Sequence, residues 1–466
     1  MRSCGRKVGA VGVVVALACG CAVKQPPPPD QALTGILPST TTVPSAWTAP
    51  AGVTGAAMTE WVRTFGDVQL DMLVDEALLN NLDLQAAAAR VEVARGLITQ
   101  ARALLFPQLS LASGAGVVGR DETKDRSGII GEVSWELDLW GRVRAQAASA
   151  AAAREAADAD LLYARQSLAA TVATLWYQTL ATERLRLTAA EAAVVHDDLV
   201  RLVQTKHRVG KVSRQDVALA GADRDRALHL ERVYANSEQQ VVRGLEIVVG
   251  RYPRAELALA ADLPALPPPV PAGLPSELLE RRPDLIAAER RVAAAFHTIQ
   301  VAKATRLPRV ALTGSGGRST SELLRLANVG AGFWTVFANF LAPIFTGGAL
   351  AAQVDIATAE QQAALALYGQ TALHAFSEVE TALSSEQLLA DQQAYLERVF
   401  AQDSDALRLG RVRYNVGATD LLDVLQLQTR QLDTSFELIG VRADRLSNRV
   451  ALHLALGGGF APPAGP

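Results

Sequence analysis

From Val143 to Val209 the chain contains neither proline nor glycine and consists almost wholly of good helix formers. At ~1.5 Å per residue, such a stretch makes a helix of about 100 Å. Ala349 to Val416 is similar, with only Gly369 and Gly410 inside it. Shorter stretches predict helices over 68–105, 213–250, 277–305 and 420–456, besides the long pair over 143–209 and 349–416. Along the last of the short ones, Leu422, Leu425, Thr429, Leu432, Phe436, Ile439, Ala443, Leu446 and Val450 step alternately three and four residues. That is the spacing of a coiled-coil seam. The period changes to two between helices. Val133, Trp135, Leu137 and Leu139 point one way, while Glu132, Ser134, Glu136 and Asp138 point the other. Strands are predicted over 109–118 and 129–139, joined by a polar loop from Arg120 to Arg126, and again over 310–317 and 332–342.

The two sets of elements are copies of one unit. Asp83-Leu84-Gln85-Ala86-Ala87 recurs as Asp284-Leu285-Ile286-Ala287-Ala288, 201 residues on, and Phe106-Pro107 recurs as Leu307-Pro308. Farther along, Val209-Gly210 matches Val416-Gly417, Asp216-Val217 matches Asp423-Val424, and Gly250 matches Gly457, all 207 residues on. Glycine, proline and aspartate coincide in order, which marks a duplication. The first repeat covers 61–262 and the second 277–459. A linker over 263–276, carrying six prolines from Leu263 to Pro275, joins them, and 460–466 is a tail.

A strand of about ten residues with one apolar and one polar face suits a membrane-spanning β-strand, lipid outside and water inside. It equally suits a soluble hairpin with one covered face. The long helices favour the first reading, because helices of that length form coiled-coil walls rather than the core of a globule. Four strands cannot close alone, and an open sheet edge in lipid leaves backbone groups unsatisfied. A membrane-spanning form must therefore be an oligomer.

Composition narrows the chemistry. Of the 466 residues, 49% are hydrophobic and 20% charged, which provides for a core and excludes a disordered chain. The net charge of −3 argues against nucleic-acid binding through a basic face. The three cysteines, Cys4, Cys19 and Cys21, all fall in the first 21 residues, so the body has no disulfide framework and no cysteine metal site. No metal-ligand spacing, phosphate loop or nucleophile–base set is evident, so neither an enzyme nor a cofactor is expected.

Arg2, Arg6 and Lys7 precede an apolar run from Val8 to Ala18, which is too short to span a bilayer and right for an export signal over 1–20. The run ends Leu17-Ala18-Cys19-Gly20-Cys21. It resembles a bacterial lipoprotein signal, which implies palmitate-type acylation at Cys21, with Cys19 as the alternative. Residues 21–60, with Pro26 to Pro29 and a Thr/Pro/Ala-rich stretch, read as an extended tether without a core of its own.

Several motifs together resemble the TolC-like outer-membrane factors, in the lipoprotein branch called the NodT family. They are Trp61, Phe65-Gly66-Asp67, Asn81-Leu82-Asp83-Leu84, Trp135 to Arg142, Leu341 to Phe345, Tyr414-Asn415-Val416-Gly417 and Ala455 to Gly459. The resemblance implies a homotrimer with a 12-stranded β-barrel in the outer membrane, continuous with a 12-helix periplasmic α-barrel. It implies the exit duct of a tripartite efflux pump, working with a periplasmic adaptor (membrane fusion) protein and an inner-membrane RND-type transporter. It also implies a periplasmic aperture. Asp423 matches the first acidic ring, Gln426 falls where a second aspartate often stands, and Asp216 is the copy-one counterpart of Asp423. Tyr414 matches a tyrosine that bonds across helices, and Thr419 stands where some members carry an arginine. Val209, Gly210, Val416 and Gly417 would be the tips that meet the adaptor. The alternatives are a duct for type I protein secretion and, in a different class, a periplasmic coiled-coil scaffold without a pore.

Overall fold

The computed structural model describes residues 24–38, 41, 43–49, 60–119, 123–257, 262–320 and 332–458. The signal sequence, Cys19, Cys21, the loop residues Arg120 to Glu122 and the tail lie outside these. In chain order the elements are α1 (Pro29–Ile36), α2 (Val68–Asn80), α3 (Leu82–Ala103), β1 (Gln108–Gly119), β2 (Thr123–Leu137), α4 (Arg142–Arg208) and α5 (Arg214–Val249). The second repeat supplies α6 (Leu278–Arg281), α7 (Pro283–Thr305), β3 (Arg309–Thr320), β4 (Gly332–Leu341), α8 (Ala349–Asn415) and α9 (Leu421–Ala455). Among the described residues, no helix is long and apolar enough to cross a membrane. The chain divides into two compact units, one holding the strands and the other the helical hairpins.

In the strand-bearing unit, β1, β2, β3 and β4 form one antiparallel sheet in sequence order. The two hairpins are therefore joined by β2 pairing with β3, as where Trp135 meets Leu312 and Val133 meets Gly314. Directly opposed residues share a face. One face carries Leu109, Leu111, Val133, Trp135, Leu312, Val336 and Phe340. Leu109, Trp334 and Phe340 on this face are 79%, 79% and 69% exposed. The other face carries Ser110, Glu132, Ser134, Thr313, Ser315, Thr335 and Asn339, interrupted by Phe333 and Phe337. Its polar groups bond across strands: Ser315 with Thr335 at 2.7 Å, and Asn339 Nδ2 donating to Thr313 Oγ1 at 2.9 Å.

Strand β2 begins at Thr123, so the predicted polar loop is shorter than Arg120 to Arg126. The strand ends at Leu137 rather than 139. Asp138 leaves the polar face to cap α4, accepting from the Val143 and Arg144 amides at 3.0 and 2.9 Å. Glu136 holds the Arg142 guanidinium through two bonds of 2.9 and 2.8 Å. The turn from sheet to long helix is thus fixed by charge.

In the other unit the predicted single helix over 68–105 is broken at Asn81, and that over 277–305 is broken at Arg282. These are equivalent positions in the two copies. Asn81 caps α3 by accepting from the Leu84 amide at 2.9 Å, and its Nδ2 donates to the Val248 carbonyl at 2.8 Å. Arg282, 1% exposed, donates to Glu378 Oε2 at 2.6 Å and to the Ala455 carbonyl at 3.1 Å. A glycine closes over each break. A Cβ at Gly250 would stand 2.9 Å from the Asn80 Cβ, and one at Gly457 would stand 3.3 Å from the Arg281 backbone. This explains why the two glycines match between repeats.

The core beside these breaks gathers Trp61, Phe65, Leu70, Trp176, Tyr177, Leu245, Leu446 and Val450. Asp67 caps α2 through the Gln69 and Leu70 amides and also accepts from the Trp176 indole at 2.7 Å. Trp61, fully buried, stacks on His453 with centroids 5.3 Å apart. Arg449, 1% exposed, pairs with Glu386 at 2.5 Å and donates to the carbonyls of Pro267 and Pro268 in the linker.

The predicted tether is not wholly extended. Pro29 opens helix α1, which buries Ala32 and Leu33, and the Ile36 side chain lies within 3.1 Å of where a Cβ on Gly369 would be. In the other unit Trp47 donates to the Ala272 and Gly273 carbonyls, and Glu380 accepts from the Thr48 amide, the Thr48 hydroxyl and the Ala49 amide. The segment docks because a few apolar and hydrogen-bonding residues interrupt its proline and threonine. The predicted seam of α9 is rotated at its start: Leu421, Val424, Leu425 and Gln428 are buried, whereas Leu422 is 50% exposed and Thr429 is exposed.

Candidate functional site: the two helical hairpins

Helix α4 turns into α5 at Gly210, and α8 turns into α9 at Gly417. These glycines have φ of 71° and 78°, the left-handed region that side-chain-bearing residues avoid. At both turns the amide after the glycine reaches back to the last helical turn: Lys211 to the Lys206 carbonyl at 2.9 Å, and Ala418 to the Arg413 carbonyl at 2.8 Å. This is the glycine helix stop in each repeat. Val209 and Val416, just before the glycines, are 65% and 76% exposed.

The two following helices start differently. Ser213 caps α5: its hydroxyl accepts from the Asp216 amide at 3.1 Å, while the Asp216 carboxylate accepts from the Ser213 amide and hydroxyl at 2.8 Å each. This reciprocal pair is a capping box. Asp216 is thereby engaged locally. At the matching place in copy two, Asp420 is the N-cap residue of α9 and makes no side-chain cap bond. Instead the Thr419 hydroxyl donates to Asp423. Asp423 and Gln426 are exposed.

Apart from Val209 and the undescribed Cys21, the expected site residues line two clefts. Gly210, Asp216, Tyr414, Val416, Gly417 and Thr419 line one of about 900 Å³ between the two turns. Asp423 and Gln426 line another, of about 440 Å³, with Arg413 and Arg430; Thr419 borders both. Tyr414 touches the first hairpin through its ring. Its ring lies under the Lys206 ammonium, 3.6 Å from nitrogen to centroid, and its hydroxyl has no hydrogen-bond partner among the described residues. Burial, then the nearby Asp216 carboxylate, pushes the Tyr414 hydroxyl pKa up. Burial, then Lys211, pulls the Lys206 pKa down. Lys206 escaped the sequence reading because a basic residue in the last turn of a helix is ordinary; only the packing of α4 on α8 gives it a role. Gln428, buried in α9, escaped as well, for its neighbours in sequence suggest only a coiled-coil position.

The sheet leaves an apolar face exposed, and the duplicated helices reverse at glycine hairpins. The chain belongs to the outer membrane efflux protein family, whose model matches residues 73–251 and 274–458. The pyoverdine export outer membrane protein OpmQ of Pseudomonas aeruginosa is 32% identical over 441 residues, covering 90% of this chain and 91% of that protein. The cation efflux system protein CusC of Escherichia coli is 30% identical over 424 residues, covering 86% and 88%. Among solved structures, the outer-membrane channel OprN has a TM-score of 0.82 at 28% identity, covering 92% of this chain and all of that one. The open state of the Neisseria gonorrhoeae MtrE channel has a TM-score of 0.77 at 28% identity, covering 90% and 98%. The chain has the fold of these outer-membrane channels, and its relatives are the outer-membrane components of efflux pumps.

Proposed function

We propose that three copies of this chain form the exit duct of a tripartite efflux pump, taking small toxic compounds from an inner-membrane RND-type transporter and a periplasmic adaptor to the cell exterior. The observation that carries this is the sheet. Among the described residues, β1 and β4 each have one edge without a strand partner, on a sheet whose apolar face is exposed. In lipid every unpaired backbone group is costly, and pairing β4 of one copy with β1 of the next removes both edges. Three sheets of four strands then make a barrel of 12, polar inside.

In this reading Asp423 faces the narrow periplasmic end. Its carboxylates, brought together on the axis, would attract cations and hinder anions. The copy-two cleft holds Arg413 and Arg430 as well, which tempers that preference. Gln426 contributes no second charge, and Thr419 holds Asp423 where an arginine latch would stand. Asp216 acts mainly as a helix cap. The exposed turns at Val209, Gly210, Val416 and Gly417 meet the adaptor, and acylation at Cys21 tethers the chain to the outer-membrane lipid.

The test is oligomeric closure. Cysteines introduced as Ser110→Cys in β1 and Asn339→Cys in β4 are expected to give a disulfide-linked trimer in outer-membrane fractions. Chains that remain single, and that stay soluble without detergent, would refute the duct. Asp423→Ala in planar bilayers is expected to lower cation preference, and unchanged selectivity would remove the aperture role.

A further inference from the structure

At one end of the sheet, where α3 leads into β1 and α7 into β3, the two repeats build the same joint. The Leu105 and Phe106 amides donate to the Arg102 and Ala103 carbonyls at 3.0 and 3.1 Å. In the second repeat, 201 residues on, the Arg306 and Leu307 amides donate to the Lys303 and Ala304 carbonyls at 3.3 and 3.0 Å. Arg102 and Lys303 are thus equivalent, and both copies carry a cation there. Arg102, Lys303 and Arg306 are exposed and make no ion pair among the described residues. The two carboxylates of this end, Glu136 and Asp138, are already held by Arg142 and Arg144. At the opposite end of the sheet the sequence is balanced, Arg120 to Arg126 carrying three cations and three carboxylates. Apolar groups are also left uncovered beside the free cations: Phe106 is 65% exposed, Ile344 92% and Phe345 90%. The apolar face of the sheet runs into this joint, since Trp135 on that face donates its indole hydrogen to the Leu105 carbonyl at 3.0 Å. The helix dipole favours a cation in a last turn, which accounts for Arg102 and Lys303 alone. It calls for neither Arg306, past the end of α7, nor the bare Phe345.

We propose that this end of the sheet binds anionic phospholipid headgroups of the periplasmic leaflet, through Arg102, Lys303 and Arg306. The inference rests on the sheet standing in the membrane, as in the duct proposed above. Phe106, Ile344 and Phe345 lie at the boundary between headgroups and acyl chains, where bulky apolar side chains end a membrane-spanning band. The three cations, one residue-length to one turn from that boundary, then meet lipid phosphates. Basic groups beside a bilayer are drawn to anionic lipid, and a guanidinium can bind two phosphate oxygens at once. The fourth unpaired cation of this end, Arg309, is in line with Thr313 on β3 and so stands on the polar face, away from lipid. It supplies an internal control of equal charge.

The test uses the full chain in non-ionic detergent, with native mass spectrometry counting the lipids retained per particle. Dioleoyl phosphatidylglycerol is the probe, and dioleoyl phosphatidylcholine, with the same chains and no net charge, is the comparison. Phosphatidylglycerol is expected to bind about tenfold more tightly. Arg102→Gln, Lys303→Gln and Arg306→Gln combined should abolish that preference, and Arg306→Gln alone should weaken it. Arg309→Gln should leave it intact. Should the triple variant fail to fold, Arg306→Gln against Arg309→Gln decides. Equal retention of the two lipids by the unaltered chain, a preference that survives the triple variant, or one that Arg309→Gln lowers as much as Arg306→Gln would overturn the site. Particles of one chain that keep the preference would remove the three-copy duct and leave this site standing; trimers without it would do the reverse.

Discussion

The packed joint around Trp61 draws its side chains from both repeats, and the hairpin ends repeat one glycine turn twice, yet the two regions are held in opposite ways. At the joint, large side chains are fully buried and the charged ones are paired: Arg282 with Glu378, and Arg449 with Glu386 and the linker carbonyls. At the ends, the chain is held by glycine turns, one capping box and one cation–π contact, with Val209, Val416 and Asp423 left exposed. Duplicated sequence keeps its turns in both copies but spends its charge differently: Asp216 is consumed in a cap, while its counterpart Asp423 is bonded only sideways by Thr419. The joint closes around buried side chains, and the ends leave valine and carboxylate groups exposed.

The contrast can be broken by mutation, and the largest effect is expected at the joint. Trp61→Ala removes a buried ring stacked on His453 and should cost about 4 kcal/mol in denaturant unfolding followed by helical signal. A loss no greater than that of a hairpin variant would erase the distinction. Next comes pH. Burial, then the Arg449 charge, lowers His453 to about 4 in the folded chain from its ordinary 6.5. A base whose pKa is depressed by folding takes up its proton first in the unfolded state. Stability should thus be flat above pH ~6.5 and fall between about 6.5 and 4, by on the order of 2–3 kcal/mol in all. His453→Phe should flatten that slope.

At the ends the expected effects are smaller. In Gly210→Ala and Gly417→Ala the added Cβ meets no nearby atom, so each should cost only the left-handed strain, about 1–2 kcal/mol, equal in the two repeats. Unequal losses in melting experiments would mean that the turns differ more than their geometry does. Lys206→Met should lose about 0.5–1 kcal/mol of hairpin-to-hairpin coupling, while Tyr414→Phe, which keeps the ring, should lose little. A double-mutant cycle at two salt concentrations measures it.

Much of this architecture is written locally and so could be read. The long helices are marked by absent glycine and proline, their ends by Gly210 and Gly417, and the strands by period two. Where an outcome depends on a partner distant in sequence, local pattern fails. Asn81 breaks a helix because Val248 takes its amide. Asp138 leaves its strand because the start of α4 needs an acceptor. Trp47, Thr48 and Ala49 dock because the linker carbonyls and Glu380 are there to bond them. Within the site, the acidic and glycine positions were visible through the repeat. The cation–π bridge and the unpartnered Tyr414 hydroxyl were not, since they arise only when helices distant in sequence are brought side by side.

The strand count has a consequence for biogenesis. In a sheet of four antiparallel strands the first and last run in opposite directions, so copies can be added indefinitely without a parallel seam. In the proposed duct, strand direction therefore places no limit on ring size, and the number of subunits has to be set by something other than the sheet. Until that ring is complete, each newly made chain has two borders whose backbone groups water can bond but lipid cannot. Assembly and insertion are accordingly expected to proceed as one coupled event, with solitary subunits kept from the bilayer until their neighbours arrive.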